Sequence, residues 1–363
     1  MTMQLPDPRH YASPAGNSPL LKCAEELAGT SGALPLRSLN ALAANIAALL
    51  ESGDDASVRE AMQHAPSAAV ARALDQALDM ALNSASRSDA VSLQMFAIPV
   101  LLVVGANAAK GVTSAQSAQR LSGVLPEPPA VHALFEEAGV LGHCRNFGIS
   151  NALPSLESMR GIAIASLYRN LKQQRWDDSG GIDLPPAQID VAANRETVHL
   201  RFIYGAALTP VSAPAFVESA GDIGRWGMKL TQELGRQLAT PDVSLLAIPR
   251  APRSLVRAMD EGWFAARELG FQLFLSNALR QARMRIGEPD VTISAASDQS
   301  IHIRLTSPLD DRLDQTYVWQ LALVDDLDKI LGSIANILEE VRVVRIQVVS
   351  ELEHITRARP ASH

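Results

Sequence analysis

The sequence predicts a mixed α+β fold: an N-terminal helical region, two related helix-strand-helix-hairpin halves, and a long C-terminal helix. Three observations carry this reading. Leu39, Leu42, Ile46, Leu49 and Leu50, then Val70, Leu74, Leu78 and Leu82, recur at helical spacing before residue 89. From Val91 onward, short β-branched runs alternate with helical stretches, the texture of a chain that mixes sheets and helices. A faint echo divides that second part. Val91-Ser92-Leu93 and Ala97-Ile98-Pro99 return as Val243-Ser244-Leu245 and Ala247-Ile248-Pro249, and residues 189–193 with 198–202 return as 291–296 with 301–305. Two markers in the same order suggest a duplicated unit. Chance likeness between Ala-rich stretches is the competing explanation, and the unequal gaps inside the first marker count for it.

Taken in order, residues 1–20 form a Pro-rich arm with Asp7, Arg9 and His10 where a signal peptide needs an apolar run. Residues 21–88 are helical, with breaks at Gly53-Asp54-Asp55 and Pro66. The first α/β half covers residues 89–215. It carries an insertion at about 105–160, whose Gly, Ala, Ser and Pro content between Gly105 and Pro129 suits an exposed segment. The second half covers residues 216–315: a buried strand over 243–248 ended by Pro249, a helix capped by Ser254, and a hairpin joined by Ser297 to Ser300. That helix carries Trp263, Phe264, Leu269, Phe271, Leu273, Phe274 and Leu275 on several sides and is therefore central. Residues 316–363 hold a strand from Tyr317 to Leu323 and then a helix that Asp325 or Asp326 can cap. Leu327, Ile330, Ile334, Ile337, Val341, Val344 and Val348 follow the 3-4 spacing of a heptad seam. Residues 341–349 are rich enough in β-branched side chains to be a terminal strand instead; the lack of a turn signal after Ile337 favours the helix.

Composition bounds the function. At 363 residues, 47% apolar and 20% charged, the chain can bury a large core, and 4% aromatic content makes that core aliphatic. The net charge of −7 argues against wholesale coating of nucleic acid. Cys23 and Cys144 are too few for a disulfide framework or a thiolate zinc site, which fits a reducing, cytoplasmic setting. The longest apolar run, Met95 to Gly105, is about half of the roughly 20 residues that a membrane-spanning helix needs.

Catalytic motifs are missing: there is no Gly-x-Ser-x-Gly, His-Glu-x-x-His, Cys-x-x-Cys or Gly-x-Gly-x-x-Gly. Gly105 to Gly111, with Lys110, imitates a phosphate loop but has its Lys and Gly in the wrong order. A better anion site is the strand-to-helix turn holding Arg250, Arg253 and Ser254, where two guanidinium groups would stand beside free helix N–H groups. Arg280, Arg283 and Arg285 end a helix, where cations offset the helix dipole without needing a nucleic acid. His132, Glu136, His143 and Cys144 lack the spacing of a metal site, and no cofactor or metal is expected. His199 and His302 fall at equivalent positions of the two hairpins and read as structural. The function this leaves is an interaction or assembly protein, non-enzymatic, that self-associates or binds a protein partner through the heptad helix. The alternative is a regulator or enzyme that binds an anionic small molecule at Arg250 and Arg253.

Overall fold

The computed structural model describes residues 18–29, 35–83, 86–88, 91–106, 119–142, 144, 146–161, 181–184, 186, 188–192, 195–210, 223–285, 288–296, 299–307, 314–343 and 345–349. Four helices come first: α1 (Pro19–Ala28), α2 (Leu36–Ser52), α3 (Asp55–Gln63) and α4 (Ala68–Asn83). Gly53 ends α2 in the left-handed conformation at φ 86°. Asp54 then caps α3 by accepting the Ser57 N–H at 3.1 Å. The Leu and Ile stripes of α2 and α4 are buried as their spacing requires.

A first sheet follows, built on β2 (Val91–Ala106) and β6 (Thr197–Pro210), which pair antiparallel along nearly their whole length. Outside β6 lies β4 (Phe147–Ile149); along the other flank of β2 lie β1 (Ser86–Ser88), β8 (Arg253–Ser254) and β7 (Val243–Pro249). Because β2 is covered on both faces, it reads as a continuous apolar run. Met95, Ala97 and Leu101 enter the core shared with α1, α2 and α4, while Phe96, Ile98, Val100, Leu102 and Val104 enter a second core on the opposite face. Pro99 is tolerated in this central strand because its neighbour breaks there. Its carbonyl accepts the Arg250 N–H at 2.8 Å, and the donor it lacks would face the gap between β7 and β8.

The second core is roofed by α5 (Pro128–Ala138) and α7 (Ile223–Leu238), whose Phe135, Trp226, Leu230 and Leu234 it buries. A two-stranded ribbon, β3 (Gln119–Ser122) with β5 (Gln188–Val191), adds Leu121 and Ile189 to it, and α6 (Leu156–Gly161) adds Leu156 to the first core.

The helix α8 (Leu255–Arg285) is about 46 Å long at 1.5 Å per residue and links the two sheets. Leu255, Val256, Ala258 and Ala265 belong to the first core; Phe271, Leu275, Ala278 and Leu279 belong to a third, under the second sheet. Apolar residues on several sides of α8 therefore serve successive neighbours. Glycine marks its two closest approaches: a Cβ at Gly262 would sit 3.0 Å from Pro99 and Leu200, and one at Gly270 would sit 2.9 Å from the Tyr317 hydroxyl. The second sheet has the order β11 (Asp314–Gln320), β10 (Ser300–Thr306), β9 (Asp290–Ala296), β12 (Arg345–Val348), and α9 (Leu327–Glu340) crosses one face of it between β11 and β12. Asp326 caps α9.

The fold class agrees with the sequence, and so does the second hairpin, β9 with β10. Four expectations are corrected. Residues 189–191 and 198–202 form no hairpin: β5 pairs with β3, and β6 with β2 and β4. The strand at Val243 is an edge strand of alternating burial and not a fully buried one. Of the segment from Gly105 to Pro129 expected to be exposed, residues 107–118 lie outside the described residues, and in the rest Leu121 and Leu125 are buried in the second core. The C-terminal helix stops at Glu340. Val341 and Arg342 make a turn and residues 345–348 are a strand, because Arg342 takes the left-handed conformation at φ 58° that Gly normally supplies. Among the described residues, no helix is long and apolar enough to cross a membrane.

Candidate functional site

The turn after α9 is a Schellman closure. The Val343 N–H reaches the Leu338 carbonyl at 3.0 Å and the Arg342 N–H the Glu339 carbonyl at 2.9 Å, with Val343 and Leu338 both buried. It turns the chain back to lie parallel to β9, and the Arg345–Asp290 ion pair at 3.2 Å holds the start of the strand. The Val349 N–H donates to the Ile293 carbonyl at 2.9 Å. Backbone groups alternate sides along a strand, so those of Gln347 and Val349 face β9, and those of Ile346 and Val348 face outward. Among the described residues, nothing bonds to that outer edge of β12.

The side chains make this edge unusual. Ile346 and Val348 are in register with Val291 and Ile293 and share their face of the sheet. Val291 and Ile293 are 1% and 5% exposed, whereas Ile346 and Val348 are 43% and 60% exposed and stand outside the third core. Burying such side chains fully is worth about 1.5–3 kcal/mol each, so an apolar row that continues the core into solvent is a standing affinity for a cover. Three other edges among the described residues are blunted. On β7 the outward Ala247 carbonyl accepts the Thr231 hydroxyl at 2.7 Å; on β11 the Gln320 carbonyl accepts Arg267 at 2.6 Å; beside β4 the Ile149 carbonyl accepts the Ile182 N–H at 2.9 Å.

The anion site expected at the β7–α8 turn is differently arranged. Arg253 is drawn into the chain's own Glu261 at 2.9 Å and its side chain is only 13% exposed, while Glu261 also holds Arg257 at 2.8 Å. Ser254 is buried and pairs with Phe96 in the sheet. Arg250 alone is exposed, and Lys110 lies outside the described residues. The two guanidinium groups are thus not a matched pair. Along the heptad seam, Leu327, Ile330, Ile334 and Ile337 are buried in the third core against the chain's own sheet and α8, so they present no free face. Val341 is the C-cap, Val344 lies outside the described residues, and Val348 is on β12.

A basic cleft of about 380 Å³ opens between the ends of α8 and α9, lined by Ser276, Leu279, Arg280, Arg283, Glu340, Val341 and Arg342. Its charges are internally balanced. Arg283 is bound to Glu288 at 2.8 Å and to the Val341 carbonyl, Glu340 adds a second carboxylate, and each of the two helix C-termini contributes roughly half a negative charge. Against three cations this leaves little net attraction for an anion.

Cys144, His132, His199 and Arg201 each have a structural role. Cys144 donates to the Leu208 carbonyl at 3.3 Å, and burial pushes its thiol pKa up, away from nucleophilic use. His132 stacks on Phe147 at 4.0 Å and bonds to its carbonyl. Burial and the nearby Arg201 lower the pKa of His199, and Arg201 is held by the Leu200 and Gln188 carbonyls. Among the described residues the most heavily enclosed ion pair, Arg267 with Asp325, was not foreseen from sequence, because its partners are far apart along the chain. Ile346 was also missed, although the alternation Arg345-Ile346-Gln347-Val348 is a strand signal. No family model matches the chain, and no curated protein or solved structure shows significant similarity to it.

Proposed function

We propose that this chain is an interaction or assembly protein, a subunit or adaptor of a larger complex, that receives a partner strand on the outward edge of β12. The observation that carries the reading is the combination found there: backbone groups of Ile346 and Val348 that no described residue bonds, beside an apolar row that prolongs the core face of the sheet. Strand addition supplies affinity through main-chain bonds and specificity through alternate side chains, and needs no catalytic group. The heptad helix keeps a part in this, since α9 and its turn deliver β12 to the edge.

Val348→Pro is the matching perturbation. The Val348 N–H faces outward, so proline there removes a donor for the partner while the bonds of Gln347 and Val349 to β9 remain. Wild type and Val348→Pro are each used as bait, and the retained partner is then added to the purified chain while amide exchange is followed. The expected result is a partner held by the wild type, lost with the proline variant, and protecting the Ile346 and Val348 amides. Equal retention by both baits, or unprotected amides, refutes the reading.

A further inference from the structure

Resting on the reading of β12 as a binding edge, we infer that the strand it receives is β12 of a second copy of this chain, antiparallel, with a two-fold axis through Gln347. The four-residue strand is self-complementary in that register. Ile346 stands opposite the partner's Val348 and Val348 opposite the partner's Ile346, so apolar meets apolar on the core face, while Gln347 meets the partner's Gln347 on the other face. Arg345 falls opposite the partner's Val349, which keeps the two cations apart.

The backbone is compatible with this register and excludes any shifted by an odd number of residues. Ile346 and Val348 are the residues whose N–H and C=O point outward, and antiparallel residues that both point inward to the pair exchange both hydrogen bonds. Each Ile346–Val348 pair is then fully bonded, and Gln347 occupies the intervening unbonded position. A register shifted by one residue would place outward-facing groups against groups that face β9, and would set Ile346 against Gln347. The result is a continuous eight-stranded sheet with an isologous interface, the commonest closed symmetry. Four residues cover only part of the roughly 800 Å² per partner of a stable complex, so the dimer is weak and concentration-dependent.

The test is Gln347→Cys, with Cys23 and Cys144 left in place and any bridge mapped by peptide mass spectrometry. In this register the two Gln347 Cα atoms lie about 4.5 Å apart, within disulfide range, whereas two copies of Arg345 are separated by about 14 Å and cannot bridge. Mild oxidation is expected to give a 347–347 disulfide dimer, with Arg345→Cys giving none. Sedimentation should show a reversible wild-type dimer that Val348→Pro abolishes. A wild type that stays monomeric over the whole concentration range, or cross-linking that is equal at the two positions, overturns the self-pairing. If that happens while Val348→Pro still loses a different protein partner, only the identity of the strand is refuted and the binding edge stands.

Discussion

Replacing Asp325 with Asn should destabilise the fold strongly. Arg267, whose side chain is 6% exposed, donates through both terminal nitrogens to Asp325, which is 11% exposed. The guanidinium lies under Trp263, Phe264 and Trp319, at 5.2, 5.9 and 5.6 Å from their ring centres. Two unit charges about 4 Å apart attract by roughly 4 kcal/mol at an effective dielectric of about 20. Asn keeps the shape and still accepts the Ala322 N–H, but it leaves an uncompensated buried cation. Breaking such a pair from one side costs about 3–5 kcal/mol. The lower end applies here, because Arg267 keeps the Gln320 carbonyl and three aromatic faces. Its Nε and the Trp319 indole N–H already lack partners, so the site has little spare hydrogen bonding with which to compensate.

A loss of about 3 kcal/mol corresponds to roughly 4 °C in Tm for a protein of 363 residues. Urea melts followed by tryptophan fluorescence read it directly, since two of the rings belong to the cage. The matched control is Arg267→Met with Asp325→Leu, which removes both charges and should be less destabilised than Asp325→Asn alone. If Asp325→Asn melts within 1 kcal/mol of wild type, as a threshold set by ordinary surface changes, the pair is not enclosed in solution and the packing of α8 on the second sheet must be redrawn.

Three further outcomes are expected. Gly205→Ala should cost about 3 kcal/mol in chemical denaturation, because its Cβ would lie 2.2 Å from the Phe96 ring and 2.8 Å from the Gly148 carbonyl; Phe96→Leu in the same chain should recover part of the loss. Arg342→Gly should stabilise by about 0.5–1 kcal/mol, since Gly relieves the left-handed strain at the Schellman position; an unchanged or lowered Tm contradicts the turn. His199, with a pKa held below 6.5 by burial and Arg201, takes up a proton more readily unfolded than folded. Its contribution is complete above pH 6.5 and is lost as pH falls towards the folded value, with a slope of at most about 1.4 kcal/mol per pH unit. His199→Gln should flatten that part of the stability profile; an identical profile removes His199 from the account.

The helices were legible because periodicity is a local property: the stripes of α2 and α4 and the multi-sided apolar character of α8 each show in a short window. The run in β2 was legible as apolar but not as a central strand, since only its two covering layers explain an absence of alternation. The first hairpin was misread because Ile189–Val191 and Val198–Phe202 look alike along the chain while β5 takes its partner, β3, from a distant segment. The end of α9 was hidden for a different reason. Turns announce themselves through Gly, Asn or Pro, and here an Arg holds the left-handed position, so nothing in the sequence separated Ile337 from Val348. The Arg250–Arg253 pair looked like an anion site because sequence reasoning could not see Glu261 one turn beyond Arg257, already holding Arg253. The edge of β12 became visible only once the chain was reversed at Arg342 and Ile346 and Val348 were laid beside Val291 and Ile293.

The most direct test of β12 as the working surface is a photo-reactive amino acid placed at Gln347 in living cells that express the chain, with the same probe at exposed Gln272 on α8 as the reference. The account predicts a covalent adduct from position 347, to a second copy if the strand is self-paired, and none of comparable yield from position 272. A yield at 347 no greater than at 272 would contradict it.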